Sequence, residues 1–148
     1  MKKDRAKEAF DAMTAHKMNC AQTVLVTFCE DVGLDRKLAL QVAQGFGGGI
    51  HINSLCGAAT GAYMVFGLAN KISPEDPRAK MDKTNELIKE FSRKFTELHG
   101  SLNCTELCGY NLSQPEQSAK AREKGVFSNV CPALVRDSAK IIEELLKL

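Results

Sequence analysis

The chain has 148 residues, with 20 basic and 18 acidic side chains and a net charge of +2. Its length predicts one domain over residues 1–148 that is large enough to bury a hydrophobic core, and its balanced charge gives no reason to expect binding to nucleic acid. No stretch is long and apolar enough to insert into a membrane, and the charged N-terminus lacks a signal-peptide pattern, so we expect a cytoplasmic protein.

Apolar residues recur every three or four positions and no segment alternates with a period of two, which predicts an all-α fold. The first helix is expected over residues 4–16. Asn19 is the predicted N-cap of a second helix over residues 20–31, and Asp35 caps a third that ends near Gly45. About six to seven helices are expected in all, packed as one bundle.

A glycine loop, Gly47-Gly48-Gly49, precedes the fourth predicted helix, over residues 54–70. Asn53 or Ser54 is expected to cap this helix, which places Cys56 in its first turn. Because the helix consists almost entirely of apolar and small residues, we expect it at the centre of the bundle.

The longest helix is predicted to begin near Ser73-Pro74 and to end at His99. Its inner stripe is expected to contain Met81, Ile88, Phe91, Phe95 and Leu98. The remaining predicted elements are a short turn that Asn103 can cap and a surface helix over residues 113–124. In the last predicted helix, Cys131 stands at the N-cap and Pro132 at the first helical position.

The chain contains six cysteines. In a cytoplasmic protein they favour metal binding or redox chemistry over structural disulfides, because the cytosol keeps thiols reduced. Four of them fall at predicted helix starts: Cys20, Cys56, Cys104 and Cys131. Backbone N–H groups and the helix dipole lower the pKa of a thiol at such a position, which favours the reactive thiolate.

The other two cysteines have different predicted roles. Cys29 lies on the side of its helix opposite Cys20 and is expected in the core. Cys108 follows Cys104 by one turn, on the same face, but it stands beside the terminating Gly109, where the dipole disfavours a thiolate. We interpret Cys108 as a packing residue, with a resolving thiol as the alternative.

Five segments share a pattern with a known family: Asn19-Cys20-Ala21-Gln22, Phe46-Gly47-Gly48-Gly49-Ile50, Cys56-Gly57-Ala58-Ala59-Thr60-Gly61, Gly100-Ser101-Leu102-Asn103-Cys104 and Val130-Cys131-Pro132. In this order they resemble the C_GCAxxG_C_C family of redox-active proteins. The resemblance implies functional roles for the same four cysteines that stand at the helix starts. Some relatives carry selenocysteine, and a related domain lies beside haems in a split-Soret cytochrome, which implies redox or iron–sulfur chemistry. His51 and Cys108 depart from the family pattern, in which a small residue and a leucine are expected.

The first functional hypothesis is a redox protein that uses clustered thiols, in the manner of a thiol-dependent oxidoreductase. Either Cys56 or Cys131 attacks an oxidised substrate or accepts electrons, and a second cysteine resolves the mixed disulfide. Because no Cys-x-x-Cys motif is present, the fold must bring the two thiols together. The sequence does not identify the small-molecule substrate or redox partner, and the small-residue helix leaves a homo-oligomer open.

Two alternatives use the same region. Cys20, Cys56, Cys104 and Cys131 could ligate an iron–sulfur cluster or a zinc ion, which would make the protein an electron carrier or a structural metal protein. The glycine loop and the following helix could instead hold an anion without redox chemistry, although the loop lacks the last glycine of a dinucleotide fingerprint. His51, beside the loop, could tune Cys56 or donate a proton.

Overall fold

The computed structural model describes residues 2–148, which fold into eight α-helices and contain no β-strand. The helices are α1 (Arg5–Thr14), α2 (Cys20–Phe28), α3 (Arg36–Val42), α4 (Gly57–Ala69), α5 (Pro77–His99), α6 (Cys104–Cys108), α7 (Pro115–Glu123) and α8 (Cys131–Leu146). A 3₁₀ turn at Gly48–His51 precedes α4, and a π-helical turn at Val126–Val130 leads into α8. The all-α prediction is confirmed. The helices outnumber those expected because even the short segment after Asn103 closes a helical turn of its own.

Side-chain caps fix the starts of five helices. In each of them an Asp or Asn accepts a hydrogen bond from the backbone N–H group three residues later, which satisfies a donor that the helix itself leaves free. The capping residues are Asp4, Asn19, Asp35, Asp76 and Asn103. The N-caps predicted at Asn19, Asp35 and Asn103 are therefore confirmed.

Helix α4 lies at the centre, where it packs against α2, α5 and α8. Its Val65 and Phe66 are fully buried, as expected for a helix that is apolar on every side. Helix α1 packs against α8 and, less extensively, against α2. One hydrophobic core therefore runs through the whole bundle.

Two glycines let α4 approach α2 closely. A methyl group on Gly57 would lie 2.6 Å from the backbone nitrogen of Ala21, and one on Gly61 would lie 2.9 Å from the Ala21 carbonyl oxygen. Real side chains do not tolerate such distances. The two glycines stand one turn apart and form a flat surface on α4 that receives the backbone of α2.

Helix α5 buries less of its length than the sequence predicted. Phe91 and Phe95 are fully buried, and Ile88 is half-buried, but Met81 is 52% exposed and Leu98 is 63% exposed. With 23 residues, α5 is longer than the 13-residue α4 and the 16-residue α8 on which it packs, so these helices cannot cover its whole length. None of the helices within residues 2–148 combines the length and apolar character required to cross a membrane.

Candidate functional site

Five of the six cysteines line one cavity of about 360 Å³. They are Cys20, Cys56, Cys104, Cys108 and Cys131, all of them unbridged and at most 8% exposed. The structure thus brings together the four cysteines selected from the sequence and adds Cys108. Cys29 is buried at the end of α2, away from the cavity wall, as expected of a core residue.

The start of α2 places Cys20. Asn19 and Gln22 form a capping box, in which Gln22 N–H donates to Asn19 Oδ1 (2.8 Å) and Asn19 N–H donates to Gln22 Oε1 (3.0 Å). Asn19 Nδ2 also donates to the Gln44 carbonyl oxygen at 2.9 Å. The glycine loop then packs directly on this cap, since a methyl group on Gly47 would lie 2.4 Å from Asn19 Cβ.

Cys56 is placed differently from the prediction. It is itself the N-cap of α4, whereas the sequence predicted Asn53 or Ser54 as the cap and Cys56 in the first turn. The reason is a non-local pairing: Leu55 forms an antiparallel bridge with Asn103, which keeps Leu55 out of the helix, so that α4 can begin only after Cys56.

The same bridge places Cys56 beside Cys104. Cys56 N–H donates to the Leu102 carbonyl oxygen (2.8 Å), and Cys104 N–H donates to the Ser54 carbonyl oxygen (2.9 Å). The two segments that carry these cysteines are therefore joined immediately before α4 and α6 begin. Gly49 completes the contact, because a methyl group there would lie 3.0 Å from Cys104 Cβ.

A left-handed turn closes one side of the cavity. Four consecutive residues have positive φ: Gly48 (60°), Gly49 (69°), Ile50 (60°) and His51 (55°). Glycine adopts this conformation freely, but it is strained for a β-branched residue such as Ile50. Thr60 of α4 fastens the preceding loop by donating to the Phe46 carbonyl oxygen at 3.1 Å. The turn holds His51 at the edge of the cavity.

Cys131 also departs from its predicted place. It is the first residue of α8 rather than the cap, and its N–H group already donates to the Val126 carbonyl oxygen. The π-helical turn thus continues into α8, so Cys131 does not stand at a free helix end. Ser138 joins α8 to α4 by donating to the buried Ala58 carbonyl oxygen at 2.7 Å, and this contact holds Cys131 against the other thiols.

The pKa values of Cys20 and Cys56 are shifted in opposite directions. Bonds to Cys131 and Cys56, together with burial, raise the pKa of Cys20 well above its usual range. The S–H of Cys20 lowers the pKa of Cys56, burial opposes this, and the N–H groups of Ala58 and Ala59 lower it further. Although these two N–H groups do not form a standard side-chain cap, they lie at the positive end of α4 and favour a thiolate. Cys56 is therefore the more acidic thiol of this pair.

A second thiol pair lies within α6. The S–H of Cys104 donates to Cys108, which raises the pKa of Cys104 and lowers that of Cys108 to about 6. Burial opposes the lowering at Cys108, and a backbone hydrogen bond from Tyr110 supports it. When protonated, Cys108 donates to the Tyr110 carbonyl oxygen at 3.1 Å. The sequence predicts Cys108 on the same face as Cys104 but favours a packing role, because the helix dipole is unfavourable beside Gly109. Its position one turn after Cys104 is what brings it to the cavity.

The solvent side of the cavity is basic. Among its exposed lining residues are His16, Lys17, His51 and Arg122. Of these, only His51 has a possible role predicted from the sequence. His16 and Lys17 precede the Asn19-Cys20 segment without a motif of their own, and Arg122 is brought to the cavity by the fold.

The described cysteines do not surround a point suited to a metal ion. Within residues 2–148, no three Cys, His, Asp or Glu side chains are arranged as metal ligands. The donor set would suit iron or zinc chemically, but its present arrangement does not fit a single bound ion. The predicted ligand role of Cys20, Cys56, Cys104 and Cys131 stays a prediction.

Comparison with known families agrees with the arrangement of these thiols. The family model described as "Putative redox-active protein (C_GCAxxG_C_C)" matches residues 18–145, which include all six cysteines. Comparison with curated proteins and with solved structures finds no match. Since the family match covers most of the chain and includes every cysteine on the cavity wall, this protein belongs to the C_GCAxxG_C_C family of redox-active proteins.

Proposed function

We propose that this protein is a thiol–disulfide redox protein that reduces small disulfides with the thiols of Cys20 and Cys56. The observation that carries the proposal is the convergence of five unbridged cysteines on one cavity, with Cys20 packed against the start of α4, where Cys56 lies. Cys20 and the N–H groups of Ala58 and Ala59 lower the pKa of Cys56. A thiolate is the form that attacks disulfides, and the neighbouring S–H supplies the second sulfur that the reaction needs.

Cys20 and Cys56, at the starts of α2 and α4, are better placed to form a disulfide than Cys104 and Cys108 within α6. Residues one turn apart on a helix have Cβ atoms about 5–6 Å apart, whereas a disulfide requires about 3.5–4.5 Å. Cys104 and Cys108 would therefore have to distort α6. Cys20 packs directly against the start of α4, since a methyl group on Gly57 would lie 2.8 Å from Cys20 Cβ.

The reaction has two steps. The Cys56 thiolate attacks one sulfur of a substrate disulfide, a mixed disulfide forms, and the other substrate sulfur leaves as a thiolate that takes up a proton. Cys20 then loses its proton and attacks the Cys56 sulfur, so that a Cys20–Cys56 disulfide forms and the second substrate thiol leaves. Two electrons pass from the protein dithiol to the substrate, and one disulfide becomes two thiols.

Burial limits the substrate to small molecules. Cys56 is 3% exposed and Cys20 is 8% exposed, so a folded protein could not bring its own disulfide to either sulfur without opening the bundle. A cavity of about 360 Å³ accommodates a low-molecular-mass compound.

The test is to treat the fully reduced chain, without oxygen, with one equivalent of hydroxyethyl disulfide and to map the product by mass spectrometry. We expect the loss of two hydrogen atoms per chain and a cross-linked peptide containing Cys20 and Cys56. In the Cys20→Ser variant, the mixed disulfide should accumulate on Cys56, while the core variant Cys29→Ser should behave as the wild type does.

Two results would overturn the proposal. One is a Cys56→Ser variant that reacts at the wild-type rate. The other is a stoichiometric content of iron or zinc in protein purified without oxygen, with all of Cys20, Cys56, Cys104 and Cys131 protected from thiol reagents until the metal is chelated. That result would support the four-cysteine metal alternative.

A further inference from the structure

The two ends of the cavity are lined by different side chains: thiols at the buried end and basic groups at the entrance. The five cysteines form its buried end, and four basic or titratable side chains line its solvent side. These are His16, Lys17, His51 and Arg122. In the described chain, residues 2–148, no Asp or Glu lines the cavity. Since charges of one sign focus the field inside a cleft, the entrance attracts anions.

Arg122 is held toward the cavity and is free to take a ligand. Its guanidinium group lies 5.6 Å from the centroid of the Phe127 ring, which also lines the cavity. Within residues 2–148, neither Arg122 nor Lys17 forms an ion pair, whereas four other arginines do. Those are Arg5, Arg78, Arg93 and Arg136. An oriented, unpaired guanidinium group can receive a carboxylate through two parallel hydrogen bonds.

The two histidines at this end of the cavity have unusual backbone conformations. His16 has φ of 58° and His51 has φ of 55°, a left-handed conformation that glycine adopts more easily. His16 Nε2 lies 3.3 Å from Ser128 Oγ, which fixes the ring beside the π-helical turn. Two backbone positions that only glycine would adopt without strain therefore hold imidazoles at the entrance.

We propose that the substrate of the cavity is a small disulfide that carries carboxylate groups, and that Arg122 and Lys17 bind those carboxylates. The inference rests on the proposed thiol–disulfide function. An anionic disulfide would be repelled by the Cys56 thiolate, and the cations at the entrance offset that repulsion. Each reaction turns one dicarboxylate disulfide into two carboxylate thiols while the Cys20 and Cys56 dithiol becomes a disulfide.

The test compares three aliphatic disulfides of similar size and different charge. Dithiodipropionate is anionic, hydroxyethyl disulfide is neutral and cystamine is cationic. The rate at which each oxidises the reduced protein is divided by its rate with free dithiothreitol, a neutral reductant, because the leaving thiols differ in intrinsic reactivity. At low salt we expect the normalised rate of the anionic probe to exceed that of the neutral probe by about tenfold, with the cationic probe slowest, and the advantage to shrink as salt is added.

Two matched variants test whether the preference for the anionic disulfide comes from the cavity. Arg122→Met should reduce the ratio of the anionic to the neutral rate by about fivefold, the effect of losing one nearby charge. Lys120→Met removes the same charge from the exposed face of the same helix, outside the cavity lining, and should leave the ratio unchanged.

The outcomes separate the two proposals. Equal normalised rates for the three probes, or an unchanged ratio in Arg122→Met, would overturn the assignment of an anionic substrate while leaving the thiol chemistry in place. If no probe oxidises Cys20 and Cys56, the proposed function fails and the substrate assignment fails with it.

Discussion

The acidity of Cys56 depends on the group that donates to its sulfur. The first donor is the S–H of Cys20, and the N–H groups of Ala58 and Ala59 add to it. Burial acts in the opposite direction, because a thiolate loses its hydration inside the protein. Since Cys20 supplies the largest contribution, its side chain has two separable roles: it stabilises the thiolate, and it later resolves the mixed disulfide.

These roles can be separated by two substitutions at Cys20. Cys20→Ser keeps a hydroxyl donor, whereas Cys20→Ala removes the donor. A lowered pKa keeps Cys56 as a thiolate at pH values where ordinary thiols are protonated, so its reactivity should persist as the pH falls. In Cys20→Ala the pKa of Cys56 should rise, and the pH profile of Cys56 alkylation should move to higher pH.

The measurement is the rate of iodoacetamide alkylation at Cys56 against pH, followed by peptide mass spectrometry. Cys20→Ser should retain most of the wild-type profile, and Cys29→Ala, a loss of sulfur away from the cavity, should retain all of it. A profile that is the same in Cys20→Ala and in the wild type would show that the S–H of Cys20 does not set the acidity of Cys56.

At the level of residues, the sequence predicted what local chemistry decides. Asn19 and Asn103 are caps whose partners lie three residues away, so both could be identified directly. The cap of α4 could not, since it depends on the pairing of Leu55 with Asn103 far along the chain. Arg122 was missed for the same reason, because nothing near it in the sequence indicates a cavity.

Among the helices, the contact between α2 and α4 decides whether Cys20 and Cys56 meet. Gly57 and Gly61 form the α4 side of that contact, and a side chain on either would meet backbone atoms of α2 that cannot rotate away. The pattern Cys56-Gly57-Ala58-Ala59-Thr60-Gly61 therefore does more than supply a thiol. Its small residues set the spacing of the two helices that bring the thiols together.

Alanine substitutions at the glycines of α4 should distinguish the effect of helix packing on stability from the effect of helix propensity. Gly57→Ala and Gly61→Ala should each destabilise the protein by about 1–3 kcal/mol through overpacking, and both should slow formation of the Cys20–Cys56 disulfide. Gly67→Ala is the matched control on the same helix, where a methyl group meets nothing within 4 Å. That variant should be neutral or more stable by up to about 1 kcal/mol, because alanine favours a helix.

Denaturant unfolding measures the stabilities, and mass spectrometry after treatment with hydroxyethyl disulfide measures the cross-link. If Gly61→Ala proves as stable and as reactive as Gly67→Ala, the close approach of α2 and α4 is not what positions the thiols.

For the whole molecule, a partly buried ion-pair network joins the two ends of the chain. Arg5 of α1 donates to Asp31, just beyond α2, at 2.7 and 2.9 Å, and to Glu143 of α8 at 3.4 Å. The side chain of Arg5 is 11% exposed, and those of Asp31 and Glu143 are each 18% exposed. Because α2 and α8 carry Cys20 and Cys131, the network braces two walls of the cavity from the opposite side of the bundle.

The pH dependence of this network follows from Asp31. The hydrogen bond from Arg5 lowers the pKa of Asp31, and burial opposes this. A carboxyl group whose pKa is lower in the folded state contributes its full stabilisation above the unfolded-state value of about 3.9 and loses it as the pH falls through the lower folded-state value. Asp31→Asn should therefore destabilise the protein by about 1–2 kcal/mol at neutral pH. This difference from the wild type should stay constant down to about pH 5 and diminish below about pH 4.

Urea unfolding of the wild type and Asp31→Asn at several pH values measures this difference. Glu30→Gln is the control, because Glu30 is 82% exposed and its pair with Lys3 at 3.3 Å faces solvent, so its loss should change stability by less than about 0.5 kcal/mol. A difference for Asp31→Asn that is as large at pH 3 as at pH 7 would mean that packing, and not the charge of Asp31, is what the substitution disturbs. The charge explanation requires the stabilities of the two variants to diverge at neutral pH and to converge in acid, since Asp31, unlike Glu30, is held beside a partly buried guanidinium group.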